Sequence, residues 1–224
     1  METTGLSRRN FIKRTGLASA ALTLGYYFPA LAKEPELLKG DSASNLGIEL
    51  NAWISIDTTG KVTIINHRSE MGQGSYQAVP QILAEELEVN LNQVNIVFAQ
   101  GHQTKYGSQI TGGSSTVRGS YKRLLKLGAT AREMLIEAAA KKWNVTPGEC
   151  DAEEGFVVHR PTGKKLNYGA LVEVASKLEP PKNVELKNPK HYKILRKPLQ
   201  RQDIPLKTNG SAIFGLDKKL PGML

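Results

Sequence analysis

Two polar, glycine-bearing stretches hold the residues best suited to chemistry. In Glu70-Met71-Gly72-Gln73-Gly74, two glycines flank a single amide. Glycine lets a backbone turn through positive φ and pass close to a flat ligand, while Gln73 offers one donor and one acceptor at fixed spacing. The second stretch is Gln109-Ile110-Thr111-Gly112-Gly113-Ser114-Ser115-Thr116-Val117-Arg118. Its hydroxyls and backbone amides run into a helical pattern, and a helix start presents free N–H groups at the positive end of a dipole. Such a place suits a pyrophosphate or the polar edge of a pterin.

Each stretch also has a plainer reading. A hairpin-to-helix connector with glycine at its turns is the more economical reading of 70–74 taken alone. Ser114 or Thr116 as an N-cap accounts for one of the hydroxyls in the second stretch and leaves the others unexplained. Other nucleotide and nucleophile motifs fail on spacing. Gly72, Gly74 and Gln77 break the dinucleotide-binding fingerprint. No Gly-Lys-Ser/Thr closes a phosphate loop, and Ser114 and Ser115 lack the frame of a nucleophile elbow. His67, His102, His159 and His191 have no ligand spacing and read as surface or loop residues; Glu85, Glu86 and Glu88 read as a solvated helix face.

The elements that must position these stretches follow from periodicity. Trp53, Ile54 and Ile56, then Thr58-Thr59-Gly60, then Val62, Ile64 and Ile65 alternate around a turn and predict a β-hairpin. Val79, Ile82, Leu83 and Leu87 predict a helix from Ser75 to about Glu88, and Val94, Ile96 and Phe98 predict a strand. The run from Gln100 to Ser115 is too polar to bury itself. It leads into a long helix over Val117–Trp143, then a hairpin around Arg160-Pro161-Thr162-Gly163 and a helix from Tyr168 to Lys177 capped by Asn167.

Composition narrows the function classes. The 224 residues carry a formal net charge of +9. By segment, residues 1–32 carry +3, residues 33–181 carry −1 and residues 182–224 carry +7. A neutral body argues against nucleic-acid binding, which concentrates cations on a folded face. Cys150 is the sole cysteine, so this chain cannot by itself build a disulfide or ligate an iron–sulfur cluster.

The N-terminus reads as an address. Ser7-Arg8-Arg9-Asn10-Phe11-Ile12-Lys13 precedes an uncharged stretch ending in Ala30-Leu31-Ala32, the order of a twin-arginine signal peptide. Residues 1–32 are expected to direct export to the periplasm, with membrane association if the leader is retained. Residues 33–50 read as a linker.

Together the two loops resemble the molybdopterin-binding large subunit of the xanthine dehydrogenase and aldehyde oxidase superfamily, and the twin-arginine leader before Asn51-Ala52-Trp53-Ile54 is most similar to the branch that holds the isoquinoline 1-oxidoreductase beta chains. Pro80-Gln81-Ile82-Leu83-Ala84-Glu85-Glu86-Leu87, Ala139 to Val145, Tyr168 to Leu171, Arg201 to Lys207 and Gly210 to Asp217 extend the likeness. The resemblance implies an α+β fold of mixed sheet hairpins and packed helices. It makes 51–181 a portion of a molybdopterin-binding domain and 182–224 a connector and the start of a hammerhead-like domain. It further implies a molybdenum hydroxylase that oxidises aldehydes or N-heterocycles with water-derived oxygen. The cofactor would be molybdopterin with Mo, in its cytosine dinucleotide form, with iron–sulfur clusters on a small partner subunit and a cytochrome as electron acceptor.

On that resemblance Gly72, Gln73, Gly74, Thr111, Gly112, Gly113, Ser114 and Ser115 are the cofactor-binding residues. Gln77 departs from the small hydroxyl residue usual in the family. Family members are longer, with a catalytic glutamate near the far C-terminus, so the general base is expected outside this chain and the chain alone is expected to be inactive. The alternative is a non-catalytic exported binding or assembly module. From about Pro181 onward, unpaired apolar residues lead to an expectation of disorder or association.

Overall fold

A computed structural model describes residues 53–223 and the backbone of one strand at Leu22–Leu24; the leader and linker otherwise lie outside the described residues. The architecture is α+β. A four-stranded sheet has the spatial order β1 (Leu22–Leu24), β2 (Ile54–Ile56), β3 (Val62–Asn66), β4 (Asn95–Phe98). β1 and β2 pair antiparallel, as do β2 and β3, whereas β3 and β4 are parallel.

The β2–β3 turn is built by Asp57. Its Oδ1 accepts from Thr59 N at 2.9 Å and Lys61 N at 3.0 Å, and Gly60 follows at φ 91°. The parallel pairing comes from the helix between the strands. α1 (Ser75–Leu87) carries the chain back across the sheet, as a parallel connection requires. The polar run after β4 contains one unforeseen turn of helix, α2 (Gln103–Tyr106), whose first turn is capped by His102 Nδ1 accepting from Lys105 N at 3.1 Å.

α3 (Ser115–Trp143) packs along α1. Gly128 lets the two helices approach: a Cβ there would sit 2.7 Å from Leu83 O and 2.8 Å from Glu86 Cβ. Ile54, Ile56, Ile64, Leu83, Leu87, Leu124 and Leu135 fill the space between sheet and helices. Tyr168 joins them, and its hydroxyl donates to Leu87 O at 2.8 Å, satisfying a carbonyl at the end of α1.

A second sheet of β5 (Cys150–Glu153), β6 (Phe156–His159) and β7 (Lys165–Asn167) is an antiparallel meander. Asn167 caps the next turn as expected, accepting from Gly169 N at 2.7 Å. The expected Tyr168–Lys177 helix is shorter: a 3₁₀ turn over Tyr168–Leu171 leads into α4 (Val172–Ala175). α5 (Ile204–Thr208) lies near the end of the chain.

Two expectations fail for one reason. Glu85 and Glu86 are not a solvated face but are buried, at 1% and 0% exposure. They hold the first part of the segment for which disorder or association was expected. Glu85 accepts from the backbone N–H groups of Lys193, Ile194 and Leu195 at 3.0, 2.7 and 2.9 Å, and Lys187 Nζ donates to it as well. Glu86 accepts from Lys187 N at 3.1 Å and pairs with Arg132 Nη1 of α3 at 2.8 Å. Residues 185–195 are thus strapped across α1, with Tyr192 buried beneath them. Beyond the strap, Ile204, Leu206, Ile213, Phe214, Leu216, Leu220 and Met223 are exposed.

Candidate functional site

The 70–74 loop is held by Glu70. Its carboxylate accepts from Gly72 N at 2.7 Å, Gly74 N at 3.0 Å and Tyr76 N at 2.7 Å. Tyr76 is the second residue of α1 and Gly74 its N-cap, so a carboxylate upstream in the chain stands in for a capping side chain at the positive end of the helix dipole. Burial alone would raise the Glu70 carboxyl. The three backbone donors and Arg201 outweigh it and hold the group below its ordinary value. Glu70 is therefore an ionised brace.

Gln73 is turned into the same loop. Its Oε1 accepts from Met71 N at 2.6 Å, and its Nε2 donates to Ser69 O at 2.7 Å and Ser75 Oγ at 3.1 Å. Gly72 is exposed and Gly74 half-buried, at φ 103° and 90°, with their N–H groups turned to Glu70. A Cβ at Gly72 would meet nothing within 4 Å, so the space above this backbone is open.

The second loop lies against the first. Ser69 N donates to Thr111 Oγ1 at 3.2 Å, and Arg68 Nη1 donates to Ile110 O. Because Thr111 Oγ1 accepts in that bond, its hydrogen is left for another partner. Gly113 and Ser114 both take left-handed backbone, at φ 58° and 53°, and turn the chain into α3. Ser115 anchors the turn through Oγ to Gly112 O at 2.9 Å. Ser114 occupies the N-cap position, but its side chain makes no capping bond, so the expected capping hydroxyl stays exposed. Gly112 and Gly113 are exposed beside it.

A cavity of about 370 Å³ lies outside the C-terminal ends of the parallel pair β3 and β4, lined by Asn66, His67, Arg68, Ser69, Glu70, Phe98 and Gln109 among others; it touches the first loop at Glu70 and the second stretch at Gln109, while Gly72–Gly74 and Thr111–Ser115 are not in its lining. That is the position where open sheets with parallel strands bind ligands. Gln109 is fixed there, accepting from His102 N at 2.7 Å and donating to Gln100 O at 3.0 Å. His67 lies in the loop just after β3, as expected, but is buried rather than at the surface, at 2% exposure. Burial, then the cationic Arg123 and Arg68, press it down to about 4, so it is neutral at ordinary pH. Its place two residues after Ile65, just past the end of β3, was the one signal that could have suggested burial. His159 is also buried, with its Nδ1 2.7 Å from Thr162 Oγ1.

Gln77 has a different task from a cofactor contact. It is buried, and its Oε1 accepts from Gln202 N at 2.8 Å, tying α1 to the chain end. One residue earlier, Arg201 reaches the first loop, donating to Gly72 O at 3.2 Å. No group of three or more His, Cys, Asp or Glu able to hold a metal occurs among the described residues. What the two loops present is open space above Gly72 and, in the second, the exposed Gly112, Gly113 and Ser114 with an unengaged hydroxyl at Ser114. That surface fits a ligand that brings its own metal and offers polar edges and negative charge, as a molybdopterin does.

Comparison with known proteins bears on that fit. The sequence profile of the molybdopterin cofactor-binding domain matches residues 5–215. The chain belongs to this family. It is 30% identical to the beta subunit of isoquinoline 1-oxidoreductase from Brevundimonas diminuta, over the whole of this chain and 33% of that protein. It is 31% identical to the membrane-bound aldehyde dehydrogenase (pyrroloquinoline-quinone) of Gluconacetobacter polyoxogenes, over the whole of this chain and 29% of that protein. A subunit of nicotinate dehydrogenase from Pseudomonas putida is 30% identical over 79% of this chain and 15% of its own length. This molybdopterin-binding domain thus spans about a third, or less, of the curated relatives it matches. Among solved structures, quinoline 2-oxidoreductase from Pseudomonas putida 86 superposes with a TM-score of 0.44 at 25% identity, covering 53% of this chain and 15% of that one.

Proposed function

We propose that the domain is part of the molybdenum-cofactor-binding subunit of a molybdenum hydroxylase that oxidises aldehydes or N-heterocycles with water-derived oxygen. The observation that carries the reading is the bond between Ser69 N and Thr111 Oγ1, 3.2 Å long, which brings the two family loops side by side. The names of the relatives, two of them subunits of oxidoreductases acting on N-heterocycles, support the reaction class.

In this reading the bound cofactor supplies the redox chemistry, and the chain supplies binding and orientation. Gly72 and Gly74 offer backbone at close approach, and Gln73 keeps that backbone in place. Thr111, Gly112, Gly113, Ser114 and Ser115 offer hydroxyl and N–H donors to the pterin or phosphate. We assign the cofactor as the cytosine dinucleotide form, the iron–sulfur clusters to a small partner subunit, the electron acceptor to a cytochrome, and export to the twin-arginine route. Cys150 cannot ligate a cluster alone and is buried, which supports a separate carrier of the clusters.

The test is metal and pterin analysis of the protein produced from its own locus with the genes that follow it, in molybdenum-replete cells. Molybdenum and pterin should co-purify in equal amounts and fall together in Thr111→Val. Protein carrying neither would sink the reading.

A further inference from the structure

Asn209-Gly210 is the one Asn-Gly step in the sequence, and every other asparagine is followed by a larger residue. An asparagine side chain is open to attack by the backbone nitrogen of the residue after it, and glycine, lacking a Cβ, hinders that approach least. The step lies at the end of α5, where both residues are exposed. Gly210 takes left-handed backbone at φ 78°, and a Cβ there would meet nothing within 4 Å. The turn can therefore change shape without displacing a neighbour.

Ser211 prepares the carbonyl that would be attacked. Its N–H donates to Asn209 Oδ1 at 2.9 Å, and its hydroxyl donates to the same oxygen at 2.6 Å. Two donors on one carbonyl oxygen stabilise the negative charge that gathers there when a nucleophile adds to the carbon. Asn90, Asn167 and Asn188 each accept a single backbone N–H at Oδ1, from Asn92, Gly169 and Lys190. At Asn209 a hydroxyl adds to the backbone donor, and the following residue is the least hindered one.

We propose that Asn209 is a site of spontaneous deamidation, activated by Ser211. Gly210 N adds to Asn209 Cγ, the bond from Cγ to the amide nitrogen breaks, and ammonia leaves with the proton that Gly210 N gives up, closing a five-membered imide. Water then opens the ring at either carbonyl, yielding aspartate or isoaspartate. No electrons change hands, and solvent is the only co-reactant. The product is a carboxylate, ionised at neutral pH, so residues 182–224 lose one unit of their +7. It stands at the C-cap of α5, where Asn209 N donates to Pro205 O at 3.1 Å and the carbonyl end of the helix disfavours an anion. α5 carries Lys207, which pairs with Asp203 at 2.6 Å, so the change falls beside the residue that holds Arg201. This site is independent of the cofactor reading above.

The test is incubation of the full chain at neutral and mildly alkaline pH and physiological temperature, followed by peptide mass spectrometry and cation-exchange chromatography. The peptide that contains Asn209 should gain the mass difference between the water taken up and the ammonia lost, divided between aspartate and isoaspartate forms. The exposed Asn90, Asn92, Asn95, Asn144, Asn183 and Asn188 should stay unchanged over the same period. The modified chain should elute earlier from the cation exchanger, and Asn209→Gln should remove that early species. Ser211→Ala keeps the backbone donor and loses the hydroxyl, so it should slow the reaction by about two- to tenfold, the net worth of one hydrogen bond. Both substituted residues are exposed, so the fold is kept. An unmodified Asn209 at the end of the incubation, modification spread evenly over the exposed asparagines, or an undiminished rate in Ser211→Ala overturns the proposal.

Discussion

Arg201 Nη2 lies 3.3 Å from Glu70 Oε1, although 131 residues separate them in the chain. Glu70 is the acceptor around which the Gly72–Gly74 loop is wound, and Arg201 is itself held in place by Asp203 at 2.9 and 2.6 Å. Residues near Arg201 thus take part in shaping the loop whose Glu70 lines the cavity. The strap over Glu85 and Glu86 delivers Arg201 to that position.

Arg201→Ala should therefore loosen the loop more than it destabilises the fold. The ion pair is partly exposed, so its loss should cost about 0.5–1 kcal/mol in a denaturant titration. Hydrogen exchange at the Gly72 and Gly74 amides should accelerate well beyond that global change. Unaltered exchange at both would show that Glu70 holds the loop without help.

Removing Glu85 should release the strap. Glu85→Ala takes the acceptor from three backbone N–H groups, at about 1–3 kcal/mol for each donor left buried and unmet, while Lys187 keeps Glu88 as a partner. Trypsin should then cut rapidly after Lys187, Lys193 and Arg196, sites that the wild-type strap protects. Rapid cleavage of the wild-type chain at those sites would contradict the docking of residues 185–195 on α1.

Acid should weaken the same contacts. For Glu70 and Glu85, burial opposes ionisation but is outweighed, by the loop amides and Arg201 at Glu70 and by Lys187 and the strap amides at Glu85. Both folded values therefore lie below the unfolded value of about 4.3. Their contribution is complete above that value and is lost as the pH falls through the folded ones. Glu86 acts in the opposite sense, since burial raises it above its ordinary value ahead of the bonds from Lys187 and Arg132, and its contribution shrinks as pH rises through that interval. With two lowered groups against one raised, urea midpoints should fall below about pH 4. Glu85→Gln should flatten that fall.

Gln73→Ala should separate cofactor retention from stability. The amide is exposed and bonds only within its own loop, so the thermal midpoint should move by about a few degrees at most. Molybdenum content of the protein made from its locus should drop severalfold. A large loss of midpoint at unchanged metal content would make the loop a structural connector and nothing more.

Export can be checked independently of chemistry. Arg8→Lys together with Arg9→Lys should abolish periplasmic accumulation, because the paired arginines are what the export receptor reads. Fractionation showing undiminished periplasmic protein in the double variant would remove the assignment. Mass spectrometry of the exported form would also show whether β1, which pairs with β2 through Leu22 and Ile56, survives processing.

The local alternation of Trp53 to Ile65, the helical spacing of Val79 to Leu87 and of Leu124 to Ala139, and the cap at Asn167 were legible without a structure, because each depends on neighbours a few residues away. The two loops whose order and spacing mark the family were legible for the same reason. What tertiary structure alone decided involves partners about a hundred residues apart. Three glutamates close together read as solvent-facing from residue type alone, yet Glu85 and Glu86 are buried because backbone amides and cations from residues 185–195 arrive to meet them. His67 gave only a faint sign of burial, because its environment is set by Trp53, Arg68 and Arg123 from three separate segments. Nor could the sequence assign Glu70 to capping α1, since the donors it satisfies become neighbours only once Gly72 and Gly74 take left-handed backbone. A charged side chain is placed inside or outside by the partners that compensate it, and those are chosen by the fold.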